Sequence, residues 1–244
     1  MPPRFFHAPL PDAVDAADTV LLDLEQTRHA RRVLRLTPDD PLELFDGTGR
    51  LASAAVVDAA EGAGPRLACR IQAVTHVPRL GPMLWLATAA PKGGRLEDLV
   101  NKIVQLGCDR WTPLLTERGV VAPRGGKLER AGRVALEAMK QSRRLHAMQV
   151  DRPLTLDALL EAVPEPVDLR VLDPAGEAVA PAAEKPGLPR VALVGPEGGW
   201  APGELDRLDR AGALRWRINP HVLRIETAAV AAAALLRAPV DGAA

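Results

Sequence analysis

The chain is short of cysteine, of long apolar runs and of net charge, and each shortage removes a class of function. Only Cys69 and Cys108 occur in 244 residues, far apart and without partners at metal-ligand spacing. A disulfide framework or a zinc site is thereby excluded, and two buried free thiols are expected. No apolar stretch approaches the roughly 20 residues of a membrane span. The opening MPPRFFHAPLPD lacks the basic-then-apolar layout of a signal peptide. A cytoplasmic protein with no membrane association is expected. Thirty-one basic residues meet thirty-one acidic ones, which argues against a strongly basic nucleic-acid binder.

Familiar motifs are missing too. No Gly-x-Gly-x-x-Gly opens a helix after a strand. RGGKL (124–128) fails as a phosphate loop because Leu128 stands where Ser or Thr would hold magnesium. HExxH and GxSxG are absent, against metalloprotease and serine-hydrolase chemistry. His7, His29, His76, His146 and His221 fall in no triad or ligand spacing, so no metal is expected.

What is present is 47% hydrophobic and 25% charged, an ordinary globular composition with room for one large or two small domains. Residues 1–77 read as short strands: VLLDL (20–24), PLELFDGTGRLASAAVV (41–57) folded over an Asp-Gly-Thr-Gly turn, and RLACRIQAV (66–74). Proline and glycine cluster in HVPRLGPM, so a domain boundary is expected near 78–82, the second domain being 78–244. From there strands alternate with helices. MLWLATAA is followed by a helix on Leu96, Leu99, Val100, Ile103 and Leu106 that stops at Gly107. WTPLL, LRVLD (169–173), VALVG and LRWRI follow as strands, with a helix from Pro202 to Gly212 and a last one from about Ile225. Such alternation implies an α/β domain with a parallel sheet.

Charge is unevenly spread. Arg124–Arg144 holds seven basic residues against two acidic ones. Arg130, Arg133, Lys140 and Arg144 line one helical face, and Leu128, Ala131, Ala135 and Ala138 another. A solvated face and a phosphate-facing one both explain this stripe. Residues 1–77 carry eleven acidic and eight basic residues, so RNA held there is read by shape or by a few arginines. In HARRVLRL (29–36), Arg31, Arg32 and Arg35 share a helical face with Arg28.

Two loops stand where ligands bind, beyond the carboxyl ends of parallel strands. In LVGPEGGW, residues 193–200, Gly195, Gly198 and Gly199 permit positive φ and close approach to the backbone, while Pro196 stiffens the turn. A tight connection without a ligand is the alternative. NPHVLRIETAAV (219–230) brings Arg224, Glu226 and Thr227 to a second strand end, where a simple helix start is the alternative.

Taken together, LVGPEGGW and, about twenty residues on, LRIETAAVAAAALL resemble the knotted SPOUT methyltransferases, and within them the E-type ribosomal RNA small subunit uracil-N3 methyltransferases. PRFF (3–6), HARRVLRL, LFDGTG (44–49), KGGRLEDLVNKIVQLGCDRWTPLLTER (92–118) and KQSRR (140–144) carry the resemblance through both domains. It implies a PUA-like β-barrel for RNA binding followed by a trefoil-knotted α/β domain that binds S-adenosylmethionine and forms a homodimer. The implied activity is methylation of N3 of uridine 1498, with small-subunit (16S) ribosomal RNA or the assembled small subunit as partner. The implied cofactor set is Leu172, Val194, Gly195, Pro196, Glu197, Gly198, Gly199, Asn219, Val222, Leu223 and Ile225. Arg144 and Arg224 are expected to act on substrate, with Glu226 or Glu117 as base. Arg4, Arg28, Arg31, Arg32, Arg35, Lys92, Arg118 and Arg144 are expected to face RNA. A helix-face role for Arg144 and a Glu117–Arg118 salt bridge remain open, as do a non-catalytic RNA-binding protein and a methyltransferase acting at another RNA position.

The chain departs from the family pattern in places. Asn219, His221 and Ile225 stand where glycine, arginine and threonine are usual, and Asn219 is expected to keep the turn through left-handed φ. Arg143 replaces the glycine of the central motif.

Overall fold

The computed structural model describes residues 1–12, 18–58, 64–120, 122–178 and 187–237. They form two compact units. The first is Met1–Arg79 with Lys140–Ala147; the second is Leu80–Met139 with the chain from Met148 onward. A single cut near 78–82 does not foresee the return of residues 140–147 to the first unit.

The first unit contains β1 (Arg4–Phe6), β2 (Thr19–Leu21), α1 (Leu24–Arg28), a π-helical turn (His29–Val33), β3 (Pro41–Phe45), β4 (Arg50–Val57) and β5 (Ala68–His76). The strands form one sheet in the order β1-β3-β4-β5-β2, antiparallel except for the β1–β3 pair. Alternation along β4 sends Ala52, Ala54 and Val56 inward, where they meet Phe5, Leu22, Leu42, Leu44 and Ile71. The β3–β4 turn is closed by Asp46, whose carboxylate accepts from the Thr48 backbone N–H at 2.8 Å and its hydroxyl at 2.7 Å. VLLDL is only partly strand. β2 ends at Leu21 because the Asp23 side chain accepts from the Gln26 N–H at 2.7 Å and caps α1, so a capping residue overrides the β-favouring run.

The second unit contains β6 (Leu84–Ala89), α2 (Arg95–Gln105), β7 (Arg110–Leu115), α3 (Gly125–Ser142), whose last turn counts with the first unit, β8 (Gln149–Val150), β9 (Leu154–Thr155), α4 (Leu156–Ala162), β10 (Asp168–Glu177), β11 (Arg190–Val194), α5 (Pro202–Arg210), β12 (Leu214–Trp216) and α6 (Ile225–Arg237). Its sheet is parallel throughout, in the order β12-β10-β11-β6-β7-β8, with β9 also on β7. β6 and β11 are buried along their whole length, as strands covered on both faces must be. Two indoles fix neighbouring strands by exchange: Trp85 Nε1 donates to Thr112 Oγ1 at 2.8 Å and Trp111 Nε1 to Thr88 Oγ1 at 3.0 Å. α2 ends before Gly107, whose φ of +82° only glycine adopts cheaply. The alanine-rich α6 buries Ile225, Ala228, Ala229, Ala232, Ala233 and Leu236 within its own unit. Among the described residues no helix is long and apolar enough to cross a membrane. β8, β9 and α4 carry too few residues for a periodicity to show, and β10 extends past LRVLD to Glu177 through a register shift after Leu172.

At the end of α3, Arg143 takes a φ of +57°, the conformation the usual glycine would favour. Its cost, of order 1 kcal/mol for a residue with a Cβ, is offset by an ion pair. Arg143 Nη2 and Arg4 Nη2 lie 2.5 and 2.7 Å from the same oxygen, Glu43 Oε2, and Arg4 Nη1 donates to the Arg143 carbonyl at 2.6 Å. One carboxylate therefore fastens residues 140–147 to β1 and β3. Replacing it by an amide leaves two guanidinium groups facing each other, so Glu43→Gln is expected to cost about 2 kcal/mol. Urea denaturation of both proteins measures this, and an unchanged midpoint would dismiss the clasp.

Candidate active site

The site is built where β10, β11 and β12 end side by side, Leu172 lying in register with both Val194 and Trp216. Beyond these ends opens a cavity of about 410 Å³, within the range of small-molecule sites. All eleven residues expected around a cofactor line it: Leu172, the run Val194–Gly199, Asn219, Val222, Leu223 and Ile225. Asp173, Trp200, Trp216, Arg217 and His221 also line it; Trp200 and His221 lie within the two motif loops, while Asp173, Trp216 and Arg217 carried no distinguishing spacing in the sequence.

The three loop glycines have three different reasons. A Cβ on Gly195 would stand 2.8 Å from the Trp200 ring, whose Nε1 donates to the Leu172 carbonyl at 3.0 Å. This glycine therefore makes room for an indole that ties the loop to β10. Gly199 has a φ of +70°, and its N–H closes the turn on the Pro196 carbonyl at 2.9 Å. A Cβ on Gly198 would meet only Arg118, at the ordinary contact distance of 3.5 Å.

The loop is braced from the end of β7. Arg118 Nη1 donates to the carbonyls of Gly198 at 3.1 Å and Trp200 at 3.2 Å. Glu204 on α5 is 2% exposed; its Oε2 accepts from the Ala201 N–H at 2.8 Å and its Oε1 from the Glu117 N–H at 2.9 Å. Glu117 thus contributes its backbone to the brace, with its side chain exposed. On the other side of the Pro196–Gly198 wall, a smaller cavity of about 40 Å³ is lined by Lys92, Arg118 and Ile225 among others.

Arg95 joins the two motif loops, its Nη1 lying 3.6 Å from Glu197 Oε1 and 3.5 Å from Glu226 Oε1. Glu226 Oε2 is buried with no hydrogen-bond partner among the described residues. Arg224 is exposed, and its carbonyl accepts the Ala228 N–H at 2.8 Å to start α6. The expectation for Asn219 is corrected: its φ is not positive. Instead its Oδ1 accepts the His221 N–H at 2.8 Å, so the side chain makes the turn.

The remaining candidates belong to the first unit. Arg28, Arg31 and Arg32 are exposed. Arg35 does not share their helical face, because its φ of +57° ends the helical run. Arg4, its side chain 8% exposed, spends donors on Glu43 and the Arg143 carbonyl. Arg144 Nε donates to the His146 carbonyl at 2.6 Å. On α3, Ala131, Ala135 and Ala138 are buried as the stripe implies, Leu128 is half-buried, and Arg130 pairs with Glu97 at 2.8 Å. Among the described residues no three His, Cys, Asp or Glu side chains stand where they could hold a metal ion.

Residues 79–237 match the RNA methyltransferase domain family and residues 21–63 the RNA methyltransferase PUA domain. Ribosomal RNA small subunit methyltransferase E of Mycobacterium bovis is 33% identical over 237 residues, covering 93% of this chain and 88% of that protein. The chain belongs to the ribosomal RNA small subunit methyltransferase E family. The Synechocystis sp. member is 32% identical over 228 residues, 91% of this chain and 74% of its own. The crystal structure of the Neisseria gonorrhoeae member, bound to S-adenosyl methionine, superposes with a TM-score of 0.81 at 27% identity, over 96% of both chains. The family fold is thus an α/β methyltransferase domain with a parallel sheet and an N-terminal PUA-like domain.

In this family member the Trp200 seat is open to test. Gly195→Ala forces the indole off the Leu172 carbonyl, and the strain is expected to cost about 1–3 kcal/mol. The melting temperature falls and one indole becomes open to acrylamide quenching; a variant that melts and quenches like the parent would mean that the ring is free to shift.

Proposed function

We propose that this methyltransferase binds S-adenosylmethionine in the 410 Å³ cavity and methylates N3 of uridine 1498 in small-subunit (16S) ribosomal RNA. The observation that carries the reading is the cavity itself. Its walls are glycine-rich main chain, apolar Leu172, Val222, Leu223 and Trp216, and two carboxylates, Asp173 and Glu197. Main-chain donors and acceptors suit an adenine edge and ribose hydroxyls, apolar walls suit a base plane, and an anion suits a sulfonium. When bound, the cofactor supplies an electrophilic methyl group. The chain's own residues do the rest by positioning and charge.

Arg224 is assigned to the base oxygens that gain charge as the imide proton leaves, since its guanidinium is exposed at the end of the second motif loop. Glu226 is preferred to Glu117 as the proton acceptor. One of its oxygens is held by Arg95 while the other has no hydrogen-bond partner among the described residues, and a buried oxygen left in that state is retained at a cost. Lys92 and Arg118, beside the smaller cavity, are assigned to RNA phosphate, together with Arg28, Arg31 and Arg32 of the first unit. Arg144 is assigned to substrate positioning. The homodimer and the trefoil knot belong to the same reading. The half-buried Val230, Ala231 and Leu235 on α6 support the first; the second rests on the family resemblance.

The deciding experiment incubates the protein with methyl-labelled S-adenosylmethionine and unmethylated small subunits, followed by nucleoside analysis. Label in 3-methyluridine is expected; label in a ribose or another base, or none, refutes the assignment. The arginines separate in the same assay. Arg32→Ala is expected to weaken RNA binding and reduce the magnitude of its salt slope by about one. Arg144→Ala is expected to slow single-turnover methylation far more than it weakens binding, and a wild-type single-turnover rate would return Arg144 to the solvated surface.

A further inference from the structure

Two helical runs in the first unit end on arginine where glycine is the inexpensive residue. After the π-helical turn, the Leu36 N–H reaches back to the Ala30 carbonyl at 3.0 Å, a closure that requires the residue before it to be left-handed. That residue is Arg35, with a φ of +57°. Arg143, with the same φ, follows α3. Elsewhere this chain solves the same problem with glycine, at Gly107 after α2 and Gly212 after α5. Glu43 accounts for Arg143. Nothing within the fold accounts for Arg35, which is exposed and makes no hydrogen bond or ion pair among the described residues.

Both arginines belong to the surroundings of one groove. Its volume is about 490 Å³, and its lining includes Pro3, Leu34, Leu36, Lys140, Gln141 and Arg143; Arg35 lies in sequence between the two leucines. Leu34 is 39% exposed and its neighbour Val33 65%, an apolar surface beside cations. Of the acidic groups near the lining, Glu43 is already shared by two arginines and Asp23 interacts with the charge of Lys140. A concave apolar floor, an amide side chain and a cationic rim fit one kind of occupant: a nucleotide unpaired from its strand. The base plane would lie on Pro3, Leu34 and Leu36, with the Gln141 amide at a base edge and Arg35 at a flanking phosphate. A duplex presents neither an accessible base plane nor a shape that enters such a concavity.

We propose that this groove seats an unpaired nucleotide of the RNA substrate, and that Arg35 is kept in a strained backbone position because its guanidinium contacts phosphate. The proposal rests on the reading that the protein acts on RNA. Arg35→Gly tests it without endangering the fold, since glycine suits the left-handed position. The variant is expected to melt no lower than the parent and to bind S-adenosylmethionine unchanged. Its binding to small-subunit ribosomal RNA should be weaker, with the magnitude of the salt slope reduced by about one. Leu34→Ser should weaken the same binding while leaving the slope as it is, because it removes apolar contact only. If the wild type methylates small subunits while Arg35→Gly matches it in affinity and slope, the groove assignment alone is overturned. If the wild type transfers no methyl group to any RNA, the functional reading falls and the groove assignment with it.

Discussion

The cavity at the strand ends depends on Glu204. A buried carboxylate is expensive unless both oxygens are satisfied, and this one is satisfied by the main chain of two separate loops, at Ala201 and at Glu117. The connection from β11 to α5 is thereby joined to the end of β7. Arg118 repeats the connection from the other direction by donating to Gly198 and Trp200. Trp200 completes it by reaching Leu172 on β10. Three strand ends are cross-linked through one loop, and of the side chains that line the cavity only Trp200 is used in doing so. Preorganisation of that kind lets backbone groups act as ligands, because their directions are set before anything binds.

Charge in this protein is organised by sharing. Glu43 serves Arg4 and Arg143, and Arg95 serves Glu197 and Glu226. At the foot of the sheet Arg237 donates to the carbonyls of Gly107, Leu80 and Pro82 and to Asp109, anchoring the end of α6. Each centre joins segments distant in sequence. A neutral overall charge is thus compatible with local sites of definite sign, and Lys92, Arg31, Arg32 and Arg35 are among the exposed cations outside these centres.

Much of the architecture was legible in sequence, for physical reasons that can be named. The buried strands β6 and β11 show as unbroken apolar runs, α2 shows through its spacing of leucine, valine and isoleucine, and Gly107 and Gly212 mark helix ends because few other residues tolerate positive φ. Short elements were not legible: β8 and β9 have two residues each, too few for any period, and β2 was overrun by its apolar neighbours until Asp23 stopped it. The arginine spacing of HARRVLRL suggested a face that the left-handed Arg35 breaks.

By itself the sequence determined the alternation of elements, the family and the two loops that line the cavity, because these follow from local periodicity and contiguous motifs. Only the tertiary structure decided which residues hold those loops. Glu204 falls in no motif, and although Arg95 and Trp200 lie within motif stretches, the partners of these three lie 87, 131 and 28 residues away. The return of residues 140–147 to the first unit, and the choice of side chain over backbone at Asn219, were likewise settled by contacts. A spacing rule reports what neighbours on one helix or strand will share; it carries no information about a hydrogen bond made across the fold.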